Sequence, residues 1–94
     1  VLERVGSRFG HRFDVEYAEV GGAAIDKYGN ALPQAALDLS RKSDAILFGA
    51  VGGPKWDDPR ARVRPEDAIL GLRKTFDLFA NLRPVKVYPQ LIDA

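Results

Sequence analysis

Cysteine is absent from this chain and histidine occurs once, and those two shortages close off much chemistry. Without cysteine there is no disulfide framework and no thiolate to act as nucleophile or metal ligand. That composition suits a reducing compartment, and a cytoplasmic location is the expectation. His11 sits in a turn near Arg8 and Arg12 with no second ligand at metal spacing, so it reads as a surface residue. No G-x-S-x-G sequence and no paired histidines occur, which leaves triad chemistry and metal hydrolysis without local support. Long apolar runs are missing as well. None approaches the ~20 residues that cross a bilayer, and no charged-then-apolar leader opens the chain.

Charge of one sign is also lacking. A formal net charge of +1 gives little long-range attraction for nucleic acid or an anionic membrane. The one basic cluster, Arg60, Arg62 and Arg64, is surrounded by Asp57, Asp58, Glu66 and Asp67, a solvated mixed-charge surface. It offers no basic face with interleaved aromatics. A small-molecule partner is expected, with no nucleic acid and no membrane.

What is present is an ordinary globular composition, 46% hydrophobic and 29% charged over 94 residues, near the lower end of what buries a self-sufficient core. "VLERVGSRFG" has helical spacing at Val1, Leu2 and Val5 from its first residue, with no initiator methionine before it. The chain stops after "YPQLIDA" with no closing element. Both ends are expected to be cuts, leaving residues 1–94 as one partial α/β domain.

Along the chain, "RFDVEYAEV" alternates Phe13, Val15 and Tyr17 against Asp14, Glu16 and Ala18, the period-two pattern of a strand with one polar face. "GGAAIDKYGNALP" contains a short helical turn and the punctuation of Gly29, Asn30 and Pro33. "PQAALDLSRK" begins with proline and ends with Arg41 and Lys42, the polarity of a short helix. "DAILFGAV" is a continuous apolar run that predicts a strand buried on both faces. A helix between two strands predicts a βαβ crossover. "NLRPVKVYP" predicts a last strand, with Pro84 pushing Arg83 into extended backbone at a strand mouth or edge.

Between the second strand and the last lies "GAVGGPKWDDPRARVRPE", long for a βα connection, followed by a helix predicted to start at Pro65. Ala68, Leu72, Phe76 and Phe79 form the stripe expected to bury itself. Glu66, Leu70, Arg73 and Asp77 form a second stripe, where an apolar residue is ringed by charges. In open α/β sheets ligands bind beyond the carboxyl ends of strands, where this loop lies. Its pattern is neither G-x-G-x-x-G nor G-x-x-x-x-G-K-[ST], so glycine content alone leaves a structural turn open. Trp56, the sole tryptophan, reads as a loop anchor or as a platform for a nucleotide base. Arg73 and Arg83 could pair with Asp77 or Asp93, or could grip a dicarboxylate bearing an aliphatic group, since guanidinium binds carboxylate in a fork.

"GGAAID", "GAVGGPKWD", "RPE", "LRK" and "ANLRPVKVYP", in that order, strongly resemble the isocitrate/isopropylmalate dehydrogenase family, from about Gly21 to the last residue. The resemblance implies an α/β fold with a mixed sheet and flanking helices, without the G-x-G-x-x-G fingerprint. It implies a homodimer that oxidises and decarboxylates (2R,3S)-3-isopropylmalate to 4-methyl-2-oxopentanoate in leucine biosynthesis, with NAD and with Mg or Mn. Carried over by position, the cofactor loop is Gly53, Pro54, Lys55, Trp56, Asp57, Asp58, Pro59, Arg60, Ala61, Arg62, Val63, Arg64, Pro65 and Glu66, with Glu66 near the nicotinamide. Arg73 and Arg83 match two arginines that bind the malate carboxylates. Ile69 and Leu70 match the pair that meets the isopropyl group, usually Leu-Leu in the family. An apolar pair there argues against isocitrate, whose third carboxylate needs polar partners. The family's "GDGIGPE" segment, third substrate arginine, catalytic tyrosine and lysine, and metal-binding aspartates have no counterpart in these residues. The segment alone is therefore expected to be inactive. The alternatives are a related decarboxylating dehydrogenase for tartrate or malate, and a non-catalytic remnant that acts only as an interaction unit.

Overall fold

The computed structural model describes residues 1–92. Its regular structure is helical: α1 Leu2–Phe9, α2 Gly22–Tyr28, α3 Gln34–Lys42 and α4 Asp67–Thr75, with single 3-10 turns at Pro54–Trp56 and Pro89–Leu91. The helices form where local bonds can satisfy the backbone. In α3, Pro33 is extended ahead of the first turn and Arg41 and Lys42 occupy the last, as the dipole favours. Gln34 and Arg41 both donate to Asp38 Oδ1, at 2.9 and 3.2 Å. α4 is preceded by a turn in which Asp67 accepts from the Arg64 N–H at 2.8 Å and Ala68 N–H donates to Pro65 O at 3.2 Å. Proline at 65 opens that turn, and the helix predicted to start there begins two residues later, at Asp67; the Pro65 side chain is fully buried.

The buried apolar set is small: Ala24, Ala31, Ala36, Ala68 and Leu72. Ala68 and Leu72 belong to the stripe expected to face the interior. Gly71 on the same helix lies against Leu32, whose Cδ2 stands 2.7 Å from where a Cβ at 71 would be. The radius of gyration is 16.8 Å, against roughly 12 Å for a compact domain of this length. The chain spreads around its small core.

The sheet is where structure and sequence differ. Among the described residues none forms a strand, so the three strands expected over residues 12–20, 44–51 and 81–89, and the crossover built on them, do not form. A strand exists only by pairing, and no ladder bonds join these segments. Residues 44–51, expected to be buried on both faces, leave Ile46 at 43% and Leu47 at 85% exposed. The alternation of residues 12–20 survives without a ladder: Phe13, Val15 and Tyr17 line one groove with Leu2, Gly6 and His11 of the α1 region.

The end of α4 corrects a second expectation. Asp77 takes φ of +51°. Leu78 N–H donates to Arg73 O at 2.9 Å and Asp77 N–H to Lys74 O at 3.5 Å, the two bonds of a Schellman stop. Phe76 is therefore half-buried while Phe79, turned off the stripe, is 101% exposed.

Candidate functional site

The paired glycines at 21 and 22 organise the site. Gly21 has φ of +67°, and a Cβ there would stand 2.5 Å from Val51 Cβ, so no other residue fits both the conformation and the space. The two backbone N–H groups donate to Ala31 O (2.7 Å) and Val51 O (2.9 Å). They tie the start of α2 to the end of segment 44–51, where the long loop begins. Gly22 leaves room for the Trp56 indole, whose ring carbons lie 2.7 Å from the position of its missing Cβ.

From the middle of α2, Asp26 reaches the loop twice. Its Oδ2 accepts from Lys55 Nζ at 2.7 Å and its Oδ1 from Trp56 Nε1 at 3.3 Å. Lys55 Nζ also lies 5.5 Å from the indole centroid, within cation–π range. The Lys55 ammonium, first, and to a lesser degree the Trp56 N–H hold the Asp26 carboxyl below the usual aspartate value, against the opposing effect of burial. Trp56 is thus an anchor on α2, one of its two sequence readings.

The rest of the loop is held by its own bonds. Asp58 accepts from the Arg60 N–H at 2.8 Å, and Arg64 Nη2 donates to Pro59 O at 2.9 Å. Its ends meet where Glu66 Oε1 stands 3.4 Å from the position a Gly52 Cβ would occupy, the closed shape of an Ω-type loop. Trp56, Asp57, Asp58, Pro59, Arg64 and Glu66 line a shallow open cleft of about 210 Å³, below the ~300 Å³ of ordinary ligand pockets. Its lining is rich in carboxylate acceptors, and Arg64 is already engaged inside the loop. Such a cleft fits the hydroxyls or carboxamide at one end of a dinucleotide; it does not fit the diphosphate. No group of three metal-ligating side chains occurs among the described residues.

On α4, Ile69 and Arg73 are half-buried and Leu70 is 56% exposed, with Glu66 one turn before it. Arg73 forms no ion pair with Asp77 among the described residues. The left-handed turn at 77 ends the helical register that an i, i+4 pair requires. Arg83 is exposed and outside any helix, and no hydrogen bond or ion pair among the described residues ties it to α4. Its other expected partner, Asp93, lies outside the described residues.

A profile described as isocitrate/isopropylmalate dehydrogenase matches residues 1–94. The chain belongs to the isocitrate/isopropylmalate dehydrogenase family. The match includes residues 1–20, beyond the stretch in which the sequence motifs were read. Over all 94 residues the chain is 57% identical to a 3-isopropylmalate dehydrogenase of Geobacillus kaustophilus, 55% to one of Rhodopirellula baltica and 54% to one of Bacillus subtilis. It spans about a quarter of the length of these curated relatives, 25–26%.

Within this family segment the structure gathers six of the fourteen expected loop positions at one cleft and sets Ile69, Leu70 and Arg73 on the helix that follows. Sequence reasoning missed Asp26, which was only a letter in the motif "GGAAID", and missed why the motif needs both glycines. A lone aspartate 29 and 30 residues from its partners carries no local signal. The contact is legible only once α2 and the loop are folded together.

Proposed function

We propose that this chain is part of an NAD-dependent 3-isopropylmalate dehydrogenase, cytoplasmic and homodimeric, that oxidises and decarboxylates 3-isopropylmalate in leucine biosynthesis. The observation that carries the reading is Leu70, exposed at 56% beside Arg73 on α4. An apolar side chain next to a guanidinium suits a dicarboxylate with an aliphatic branch. The names of relatives more than half identical along this whole segment support the same choice.

On this reading Arg73 and Arg83 bind and orient the substrate carboxylates through bidentate forks, and Ile69 and Leu70 cover the isopropyl group and exclude water from it. Glu66, at the closed end of the loop, accepts hydrogen bonds from the nicotinamide end of the cofactor. NAD, when bound, supplies the hydride acceptor, and the metal supplies the Lewis acid for decarboxylation. The metal ligands and the general acid and base come from the remainder of the protein, so the 94-residue chain alone is expected to produce no NADH.

The test is NADH formation from isopropylmalate and NAD by the full-length protein. Leu70→Thr is expected to lower kcat/KM for isopropylmalate about tenfold relative to malate, the scale of lost apolar contact in a specificity pocket. Unchanged discrimination removes Leu70 from that role and favours a tartrate or malate enzyme. The exposed apolar residues of the extended segments, Leu47, Leu82 and Val85 among them, support a second reading, a non-catalytic unit that folds against another chain. A full-length protein that turns over no 2-hydroxy acid would favour it.

A further inference from the structure

We propose that Asp26 is the positioning residue of the cofactor loop, holding Lys55 and Trp56 against α2 so that the cleft of Asp57, Asp58 and Glu66 is formed before any ligand arrives. This rests on the reading of residues 53–66 as the NAD-contacting loop. Asp26 lines neither that cleft nor the Leu70 and Arg73 face of α4, so its effect on binding must pass through the loop.

Three observations converge on it. The carboxylate uses both oxygens on consecutive loop residues, Lys55 Nζ at 2.7 Å and Trp56 Nε1 at 3.3 Å. The indole it holds is packed into space that Gly22, on the same helix, leaves open. Trp56 is itself a wall of the cleft, adjoining Asp57 and Asp58. Moving the indole therefore moves the side of the cleft that carries two of its acceptors. α2 is in turn tied down at its start by the Gly21 and Gly22 N–H bonds to Ala31 and Val51. The carboxylate is thus mounted on a fixed support, and the loop spends less conformational freedom on binding. Lys55, bound to Asp26, is not available to a cofactor phosphate while the tie is made.

The experiment compares the full-length protein with its Asp26→Ala, Lys55→Met and doubly substituted forms. Initial rates give KM for NAD, KM for isopropylmalate and kcat. Trp56 emission is read as the difference from the matching Trp56→Phe protein. Asp26→Ala is expected to raise KM for NAD about threefold, the scale of an exposed ion pair. KM for isopropylmalate and kcat stay unchanged, and Trp56 emission shifts to the red before NAD is added. The two single substitutions, sharing one contact, should be non-additive. An unchanged KM for NAD, or an equal loss in both KM values as general destabilisation would give, overturns the proposal. If the unsubstituted protein fails to bind NAD, the functional reading falls first, and the emission then decides whether Asp26 sets the loop. An unshifted spectrum overturns that as well.

Discussion

Residues 21–31 with 51–76, which hold most of the chain's glycines, and the three segments expected as strands end in opposite states. The first region has its turns closed, its loop bonded internally and its small core buried. The segments 12–20, 44–50 and 79–88 form no regular structure and leave apolar side chains in solvent, among them Val85 at 89%, Tyr17 at 91% and Phe79 at 101%. The difference lies in where the hydrogen bonds must come from. A helix or a closed loop satisfies its backbone within a few residues of itself, whereas an extended segment needs a neighbour, often far away in the chain. A family segment that covers a quarter of its relatives' length keeps the first kind of structure, and among its described residues the second kind forms no strand.

The largest effect separates the two regions directly. Leu72→Ala, in the buried stripe of α4 at 5% exposure, is expected to destabilise the ordered region by roughly 2–4 kcal/mol. Val85→Ala in the same 94-residue chain is expected to change stability by less than about 0.5 kcal/mol. Urea unfolding followed by far-ultraviolet circular dichroism checks both. A comparable loss at Val85 would mean the extended segments are packed in solution and the contrast is wrong.

The next prediction asks whether the contrast persists in the full-length protein. Arg73 lies on α4 and Arg83 in an exposed segment without regular structure, yet the functional reading gives them the same task. Lysine keeps the charge and loses the planar fork. Arg83→Lys and Arg73→Lys are each expected to reduce kcat/KM for isopropylmalate by about tenfold, or about 1.4 kcal/mol, near the net worth of a charged hydrogen bond. A loss at Arg73 alone would leave segment 79–88 outside the site.

Legibility in the sequence follows the same division. Helices over residues 34–42 and from Pro65 onward were readable because proline, terminal cations and the 3.6-residue period are local signals. The polar-ringed position of Leu70 was readable for the same reason. The strands were read from equally clear period-two and apolar patterns, but those patterns describe a surface waiting for a partner and carry no information on whether one is present. The Asp26 contact was illegible because it joins residues 29 and 30 positions apart. The exit of Phe79 from the buried stripe was missed because the chain leaves the helix at an aspartate, where glycine is the usual signal.

That aspartate gives a smaller effect within the ordered region. Asp77 holds φ of +51° at the position where the Schellman stop favours glycine. Asp77→Gly relieves the side-chain penalty of left-handed backbone, partly offset by greater freedom in the unfolded chain. A gain of about 0.5–1 kcal/mol is expected, seen as a raised urea midpoint. A loss would mean that the Asp77 carboxylate makes contacts outside this segment that outweigh the backbone term.

The smallest effect concerns the ties that join α2 to its two neighbours, and its sign follows from the charges. Asp26, with its carboxyl lowered chiefly by Lys55, contributes fully above the ordinary aspartate value and loses that contribution as pH falls through its lowered folded value. Glu19, lowered first by Lys27 and then by Tyr28, behaves the same way. Lys27, raised chiefly by Glu19, contributes below the ordinary lysine value and is lost as pH rises through its raised one. The Asp26 tie to the loop therefore weakens in acid, as does the Glu19–Lys27 tie to segment 12–20, 3.0 Å long, whose raised lysine also makes it sensitive to alkali. Trp56 emission follows the first tie alone. It should shift on acidification and lose that acid transition in Asp26→Asn. An acid transition that persists in Asp26→Asn would mean that Trp56 senses the second tie, and that the loop and segment 12–20 move as one body.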